Sequence, residues 1–455
     1  MTSLELLQKY DRPGPRYTSY PTVPEWTTDF DSQDYTTALK AAGAKQSPIS
    51  LYFHIPFCRS RCFYCGCNTC VSSGGDRPRR YLAALDAEMS MIRELLGNRD
   101  SVEQLHWGGG TPTFLTELQM TQLFDSISAN FNISPDAEVA IEVDPRVTTV
   151  SQLSLLRKFG FNRISLGVQD FDDEVQKAIG RYQTYDQTQE LFTACRELGF
   201  EGINIDLIYG LPLQTVEKFA GTIERVIEMG ADRVAVYSYA HLPSIKAHQK
   251  KIIEADMPNA ELKYRLFAKA LDGFLDAGYV QIGMDHFAKP SDELSLSLKD
   301  GNLHRNFMGY TTKRTDAMIG VGMSAISDLS GCFAQNLSEL DGYMQMIEST
   351  GLATFRGISL SENDKIRRWI ILSLMCRFEL SFEELSDRFG IDFSESFEQE
   401  SRDLKQFVDD GLIDVTDRSI AILPDGRVFV RNVAMVFDSY LRTARRDKPL
   451  FSRTI

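Results

Sequence analysis

From residue 50 to about residue 290, short β-branched runs alternate with longer stretches whose apolar positions recur at helical spacing, a pattern that predicts repeated βα units on a parallel sheet. The expected strands are ISLYFHI from Ile49, QLHW from Gln104, EVAIEV from Glu138, RISLGV from Arg163, INIDLIY from Ile203 and RVAVYSY from Arg233, with QIGMDHF from Gln281 as a seventh candidate. YLAALDAEMSMIRELL from Tyr81 and TVEKFAGTIERVIEMG from Thr215 are among the helices between them, and each crossover is long enough for a right-handed return. Six units fall short of the eight of a closed barrel, so the expected fold is α/β, a partial (β/α)6 barrel, with a doubly wound open sheet as its rival. The polar residues favour the barrel. A cysteine cluster follows the first strand, Gly108 to Pro112 follow the second, Glu142 and Asp144 end the third, Gln169 and Asp170 end the fourth, Asp206 lies within the fifth and Tyr239 to His241 follow the sixth. Barrel enzymes build their sites on that rim.

Four segments emerge: an N-terminal arm (1–48), the barrel (49–290), an irregular extension (291–358) carrying HRNFMGYTT and GVGMSAIS, and a mainly helical C-terminal domain (359–455). In the last, GLIDVTDRSIAILPDGRVFVRN reads as a hairpin after a helix, a winged-helix-like arrangement. DNA binding is not expected of it, because residues 361–440 hold 10 Lys and Arg against 17 Asp and Glu. The whole chain of 455 residues carries a formal charge of -14, which argues against nonspecific nucleic-acid contact. It begins with no basic, then apolar, leader and holds no apolar window of spanning length. The expectation is a cytoplasmic monomer without membrane or nucleic-acid partners.

Eight cysteines without a secretory signal are expected to be reduced thiols. Cys195, Cys332 and Cys376 stand alone and read as core residues. Cys58, Cys62, Cys65, Cys67 and Cys70 fall within thirteen residues. A mononuclear zinc site would pair two such elements, and the chain has no second one, so zinc is the weaker reading. Three thiolates from one loop suit a four-iron cubane that leaves one iron open, an arrangement more useful to a catalyst than to an electron carrier.

CxxxCxxC after the first strand of a partial barrel resembles the motif of the radical S-adenosylmethionine (SAM) enzymes. The resemblance narrows with PGPRYTSYPT from Pro13, YFHIPFCRSRCFYCGCN from Tyr52, LHWGGGTPTFL from Leu105, IEVDPR from Ile141, GVQDF from Gly167, NIDLIYGLP from Asn204, YAHLP from Tyr239, MDHFA from Met284 and HRNFMGYTT from His304, and it runs on to RNVAMVFDSYL. Together these resemble the oxygen-independent coproporphyrinogen III oxidase family. The resemblance implies a 4Fe-4S cluster on Cys58, Cys62 and Cys65 and two SAM molecules. It places Tyr52, Gly109, Glu142 and Ile326 on the first SAM, and Tyr64, Gly110, Thr111, Gln169, Arg181, Asp206 and Ala240 on the second. The family often has Phe where this chain has Tyr64.

Each position also has an ordinary reading. Gly108 to Gly110 free backbone for a ligand or make a tight turn before Pro112. Glu142 receives a methionine ammonium or is a solvated strand end. Asp206 is costly to bury unpaired, and a ribose hydroxyl or a cation would compensate it. Arg181 pairs with a carboxylate or sits in solution. Cys67 is a structural thiol or supports the cluster loop, and His54 and His106 are packed strand ends.

The implied reaction is loss of a β-hydrogen to a 5'-deoxyadenosyl radical, then of carbon dioxide and one electron, from each of two propionates of coproporphyrinogen III, giving protoporphyrinogen IX. An external electron donor and an electron acceptor are its further partners. Arg12, Arg16, Tyr17 and Tyr20 of the arm, with Arg305, Tyr310, Lys313 and Arg314, are the expected contacts for the macrocycle and its carboxylates, the alternative being an arm packed by its tyrosines. A haem-binding chaperone of the same superfamily, or electron transfer alone, is the competing function.

Overall fold

The computed structural model describes residues 4–443, 451, 453 and 454, so the end of the expected C-terminal domain lies largely outside the described residues. Six parallel strands follow the expected runs: β1 (Ile49–Ile55), β2 (Ser101–Gly109), β3 (Asn132–Val143), β4 (Arg163–Gln169), β5 (Gly202–Tyr209) and β6 (Arg233–Ser238). They pair in chain order, as successive right-handed βα units require, which removes the doubly wound alternative. Four of the crossover helices start where a threonine hydroxyl caps the first turn, at Thr116, Thr149, Thr184 and Thr215; Thr116 with Gln119 and Thr149 with Gln152 form reciprocal capping boxes.

Two expectations change. QIGMDHF is not a strand of the parallel set but an antiparallel hairpin, Val280–Ile282 and His286–Ala288, that turns at Gly283 and closes the β6 edge. The stretch 291–358 is not irregular. Met318–Val321 lies parallel to the other edge of β1, and Ile326–Asp328, Cys332–Asn336 and Thr354–Ser359 continue the sheet antiparallel to twelve strands. The hairpin His304–Asn306 and Gly309–Thr311 stands outside that sheet, with Met308 to Thr311 lining the barrel lumen.

Alternation along the strands sorts the chemistry. Leu51, Phe53, Leu105, Trp107, Val139, Ile141, Ile164, Leu166, Ile205 and Leu207 are buried against the helices, whereas His106, Glu142, Ser165, Asn204, Asp206 and Tyr237 line the lumen. A second core holds the C-terminal domain, whose three-stranded sheet sets Ser419–Ile422 between Glu379–Ser381 and Ile413–Val415 after its helices. The arm belongs to this core. Tyr10 stacks on Phe407 with centroids 4.8 Å apart, and Tyr17 and Tyr20 are buried and reach Asp438 and Ser439.

Candidate functional site

The thiol loop leaves β1 at Pro56 and is pinned from several sides. Phe57–Cys58 pairs with Cys70–Val71, Cys70 N donates to Pro56 O at 2.8 Å, Ser72 N to Cys58 O at 3.0 Å and Phe63 N to Ile179 O at 2.8 Å. Cys58 Sγ stands 3.5 Å from Thr111 Oγ1. Buried Cys62 faces two guanidiniums, with Arg146 Nη2 at 3.6 Å and Arg181 Nη1 at 3.7 Å. A hydrogen bond from Cys67 holds the Cys65 thiol down at about 6 against the push of burial, whereas burial raises Cys58 to about 11. Among the described residues no three His, Cys, Asp or Glu converge on one metal-ion position. A cubane does not ask for that, since each thiolate takes its own iron. Three thiols, one already acidic and one flanked by two guanidiniums, are a donor set that fits an anionic cluster.

The glycine run is explained by the protein's own atoms. Gly109 has φ +112°, and a Cβ on it would lie 2.7 Å from the His54 ring; one on Gly110 would lie 2.6 Å from Pro56 O. Gly110 N and Thr111 N already donate to Ile55 O (2.8 Å) and Phe57 O (2.9 Å), so the run packs against the start of the thiol loop. Gly109 N donates to Glu142 Oε2 at 3.0 Å, and His106 Nε2 stands 3.2 Å from Oε1. Burial pushes Glu142 upward, but these two contacts hold its carboxyl below the usual range. It is thus an anchored carboxylate and not a freely solvated strand end. Tyr52 stacks on His106 with centroids 5.8 Å apart. Its strand neighbour Gly320 packs on the Ile326 backbone, so Tyr52, Gly109 and Glu142 are neighbours on the rim, while the Ile326 side chain packs toward Trp26 and Phe333.

The second group is spread over several elements of the rim, with Gly110 and Thr111 beside the thiol loop. Arg181 is buried and spans Asp144 Oδ2 (3.0 Å), Gly167 O (2.6 Å) and the Cys62 thiol. Its alternatives are therefore settled in part, because a protein carboxylate pairs with it. Its Nε still has no partner among the described residues, an orphaned buried donor of the kind an additional carboxylate would satisfy. Gln169 ends β4 with φ +71°, and Gln249 Nε2 bridges Tyr64 O (3.0 Å) and Ala240 O (3.2 Å). Among the described residues Asp206 has no ion-pair partner. It accepts from Asn204 (2.8 Å) and Ser165 (3.0 Å), and burial together with Glu142 raises it to about 6.

Arg146 and Gln249 are positioning residues that sequence reasoning did not single out, whereas Asp144, expected only as a polar strand end on the rim, pairs with both Arg146 and Arg181; IEVDPR and the stretch after YAHLP carried the signal. The expected substrate contacts scatter. Arg16 pairs with Asp285, and Tyr310 lines the lumen beneath the Arg305 guanidinium. Lys313 instead reaches Asp136 O at 3.4 Å, beside the N-terminal end of β3, and Arg314 opens on a cleft of about 410 Å³ against Trp369. That cleft shares no residue with the thiol loop. His106, Glu142 and Asp206 instead line the lumen cavity of about 130 Å³.

A parallel barrel with three loop thiols at CxxxCxxC spacing under an anchored carboxylate defines a radical SAM protein, and the Radical SAM superfamily model matches residues 52–226. The HemN C-terminal domain model matches residues 360–429. The oxygen-independent coproporphyrinogen III oxidase of Escherichia coli is 45% identical over 452 residues, covering 99% of this chain and 98% of that protein; that of Pseudomonas aeruginosa is 43% identical over 453 residues, 99% and 98%. The solved coproporphyrinogen III oxidase (HemN) from Escherichia coli, described as a radical SAM enzyme, superposes with a TM-score of 0.92 at 43% identity, covering 97% of this chain and 99% of that one. The chain belongs to the oxygen-independent coproporphyrinogen III oxidase family.

Proposed function

We propose that this chain converts two propionates of coproporphyrinogen III to vinyl groups without oxygen, giving protoporphyrinogen IX for haem synthesis. The observation that carries the reading is identity of 43–45% over 98% of the length of relatives named oxygen-independent coproporphyrinogen III oxidase, C-terminal domain and arm included. A 4Fe-4S cluster held by Cys58, Cys62 and Cys65, with bound SAM, would supply 5'-deoxyadenosyl radicals, one for each propionate, each taking a single hydrogen atom. Each propionate then yields carbon dioxide and one electron, so an external acceptor is needed as well as a donor.

The chain's own residues bind and orient. Glu142, held ionised by His106 and Gly109, receives the methionine ammonium of the first SAM, with Tyr52 and the backbone at Ile326 as walls. Arg181, with its spare Nε, and Gln169 serve the second SAM, whose ribose Asp206 accepts from, with Tyr64, Gly110, Thr111 and Ala240 around it. The lumen cavity is smaller than the roughly 300–1,000 Å³ of ordinary ligand sites, so the macrocycle seats at the loop end. There Arg16 and the buried Arg305 are the nearest cations to its carboxylates. The net charge of -14 and the absence, among the described residues, of any helix long and apolar enough to cross a membrane support a cytoplasmic enzyme without nucleic acid.

The haem-chaperone reading is not favoured, since the match extends through both terminal segments. Anaerobic turnover tests the proposal. Reconstituted protein with a low-potential reductant, SAM, coproporphyrinogen III and an electron acceptor releases carbon dioxide and protoporphyrinogen IX in proportion to 5'-deoxyadenosine. Formation of 5'-deoxyadenosine without vinyl product refutes the substrate.

A further inference from the structure

The end of the barrel away from the thiol loop carries a cleft that the chemistry of the mouth does not use. Residues 314–316 lead into Met318–Val321, which runs parallel to β1, so they stand at the N-terminal end of the strands, a face that barrel enzymes do not use for catalysis. Here it opens against the helix Glu362–Arg377 of the C-terminal domain as two cavities, of about 410 Å³ and about 380 Å³. They run into each other across His304, Arg314, Trp369, Leu372 and Arg388. Either one is of the size of ordinary small-molecule sites, roughly 300–1,000 Å³.

The walls hold more positive charge than they neutralise. Asp328 pairs with Arg368, Glu384 with Arg377 (2.7 Å), and Asp316 is taken by Lys45 and Arg99, which leaves Asp387 as the remaining carboxylate on these walls. Arg314 has no hydrogen-bond or ion-pair partner among the described residues, and Arg388 has only the Phe389 ring, its centroid 5.5 Å away. Desolvation, and then the guanidiniums of Arg388, Arg377 and Arg368, press Arg314 below its ordinary range. Like charges crowded together are relieved by a bound anion. Burial, with Arg368 and Arg314 beside it, lowers His304 to about 4, so its imidazole is neutral at neutral pH and keeps one N–H to donate.

We propose that this cleft binds a small organic polyanion, a flat apolar body carrying two or more phosphates or carboxylates, with Arg314 and Arg388 taking the anionic groups and Trp369 and Leu372 the body. A guanidinium grips a phosphate or carboxylate through two parallel N–H bonds, so two unpaired guanidiniums ask for a ligand with at least two such groups. The apolar wall beside them asks for more than inorganic phosphate. The cleft is also joined to the lumen. His304 pairs across its hairpin with Thr311, which lines the lumen and accepts from Gln104 Nε2 at 3.1 Å, so a ligand on His304 bears on the hairpin that forms one lumen wall.

The test is isothermal titration of anaerobically reconstituted holoenzyme with ADP and with mesoporphyrin IX as probes, inorganic phosphate as reference, and SAM in excess so that ADP does not report on the SAM sites. At least one probe is expected to bind at micromolar concentration, and which one does so tells a nucleotide source from a tetrapyrrole source. Arg314→Gln/Arg388→Gln is expected to weaken that binding at least tenfold, with iron content and far-ultraviolet circular dichroism as in wild type. Hydrogen exchange is expected to slow in peptides covering residues 301–316. Absence of binding by both probes up to millimolar concentration, equal affinity in the variant, or protection at the thiol loop in place of 301–316 overturns the proposal. Phosphate that binds as tightly as the better probe also overturns it, since the apolar wall then recognises nothing. The titration needs no turnover, so failure of the substrate reading leaves it intact.

Discussion

Replacing any one of Cys58, Cys62 or Cys65 with Ser removes a thiolate that no neighbouring group replaces in kind, and the expected outcome is loss of the broad visible absorption and most bound iron after anaerobic reconstitution. Cys67→Ser retains iron. The hydrogen bond from Cys67 is the largest influence holding the Cys65 thiol near 6, so alkylation of the apoprotein at Cys65 is expected to shift to higher pH in Cys67→Ala, which removes the side-chain donor. Iron retained in Cys62→Ser, or an unmoved alkylation profile in Cys67→Ala, contradicts these roles. At this scale the sequence spoke clearly for cysteines, because spacing on one loop is a local property. It spoke poorly for Arg181, whose partners Asp144 and Gly167 arrive from two other strand ends.

Elements are held by groups that a linear reading passes over. Glu88 lies in the helix Asp76–Leu96, wholly buried, and accepts from Tyr343 OH (2.5 Å), Asn336 Nδ2 (2.6 Å) and Gly322 N (2.8 Å). It ties that helix to the strand and turn that lead to Ile326. Burial raises its carboxyl to about 7 despite the three donors. The folded value lies above the unfolded one, so the native state holds the proton more tightly and this contribution is lost as pH rises from 4.5 through 7. Urea unfolding is expected to show wild type losing about 2–3 kcal/mol through this group between pH 5 and pH 8, a loss absent in Glu88→Gln. The variant starts less stable at pH 5, since its amide NH2 meets a donor, and the gap narrows toward pH 8; a gap constant with pH refutes the assignment. Six strands were legible because long alternating runs bounded by helices are strong signals. Met318–Val321 was not, because four residues buried throughout show no alternation and their partner β1 is more than 250 residues away in sequence.

The whole molecule is closed by a junction that composition and periodicity do not reveal. Arg431, read in the sequence only as part of a matching C-terminal stretch, is buried and donates to Pro15 O (3.0 Å) and Gly14 O of the arm and to Arg453 O and Thr454 O of the tail. Burial, with Arg16 and Arg305 nearby, lowers it to about 10, so it stays charged at neutral pH. Its compensation is therefore a ring of carbonyls, and the planar fork of a guanidinium can serve several at once where an ammonium cannot. Arg431 also lies close to Arg16, which pairs with Asp285 at the turn of the hairpin beside β6, so the arm links the C-terminal core to the barrel mouth. Arg431→Ala leaves those carbonyls unmet, and hydrogen bonds to charged groups contribute roughly 1.5–3 kcal/mol each. The expected outcome is release of the arm: new proteolytic cleavage between residues 11 and 21, a loss of stability on the order of 3 kcal/mol, and lower turnover with iron content preserved. Arg431→Lys is expected to resemble the alanine variant more than wild type. An arm that stays resistant to protease in Arg431→Ala would show that its tyrosines alone hold it, and the junction would then be a consequence of docking and not its cause.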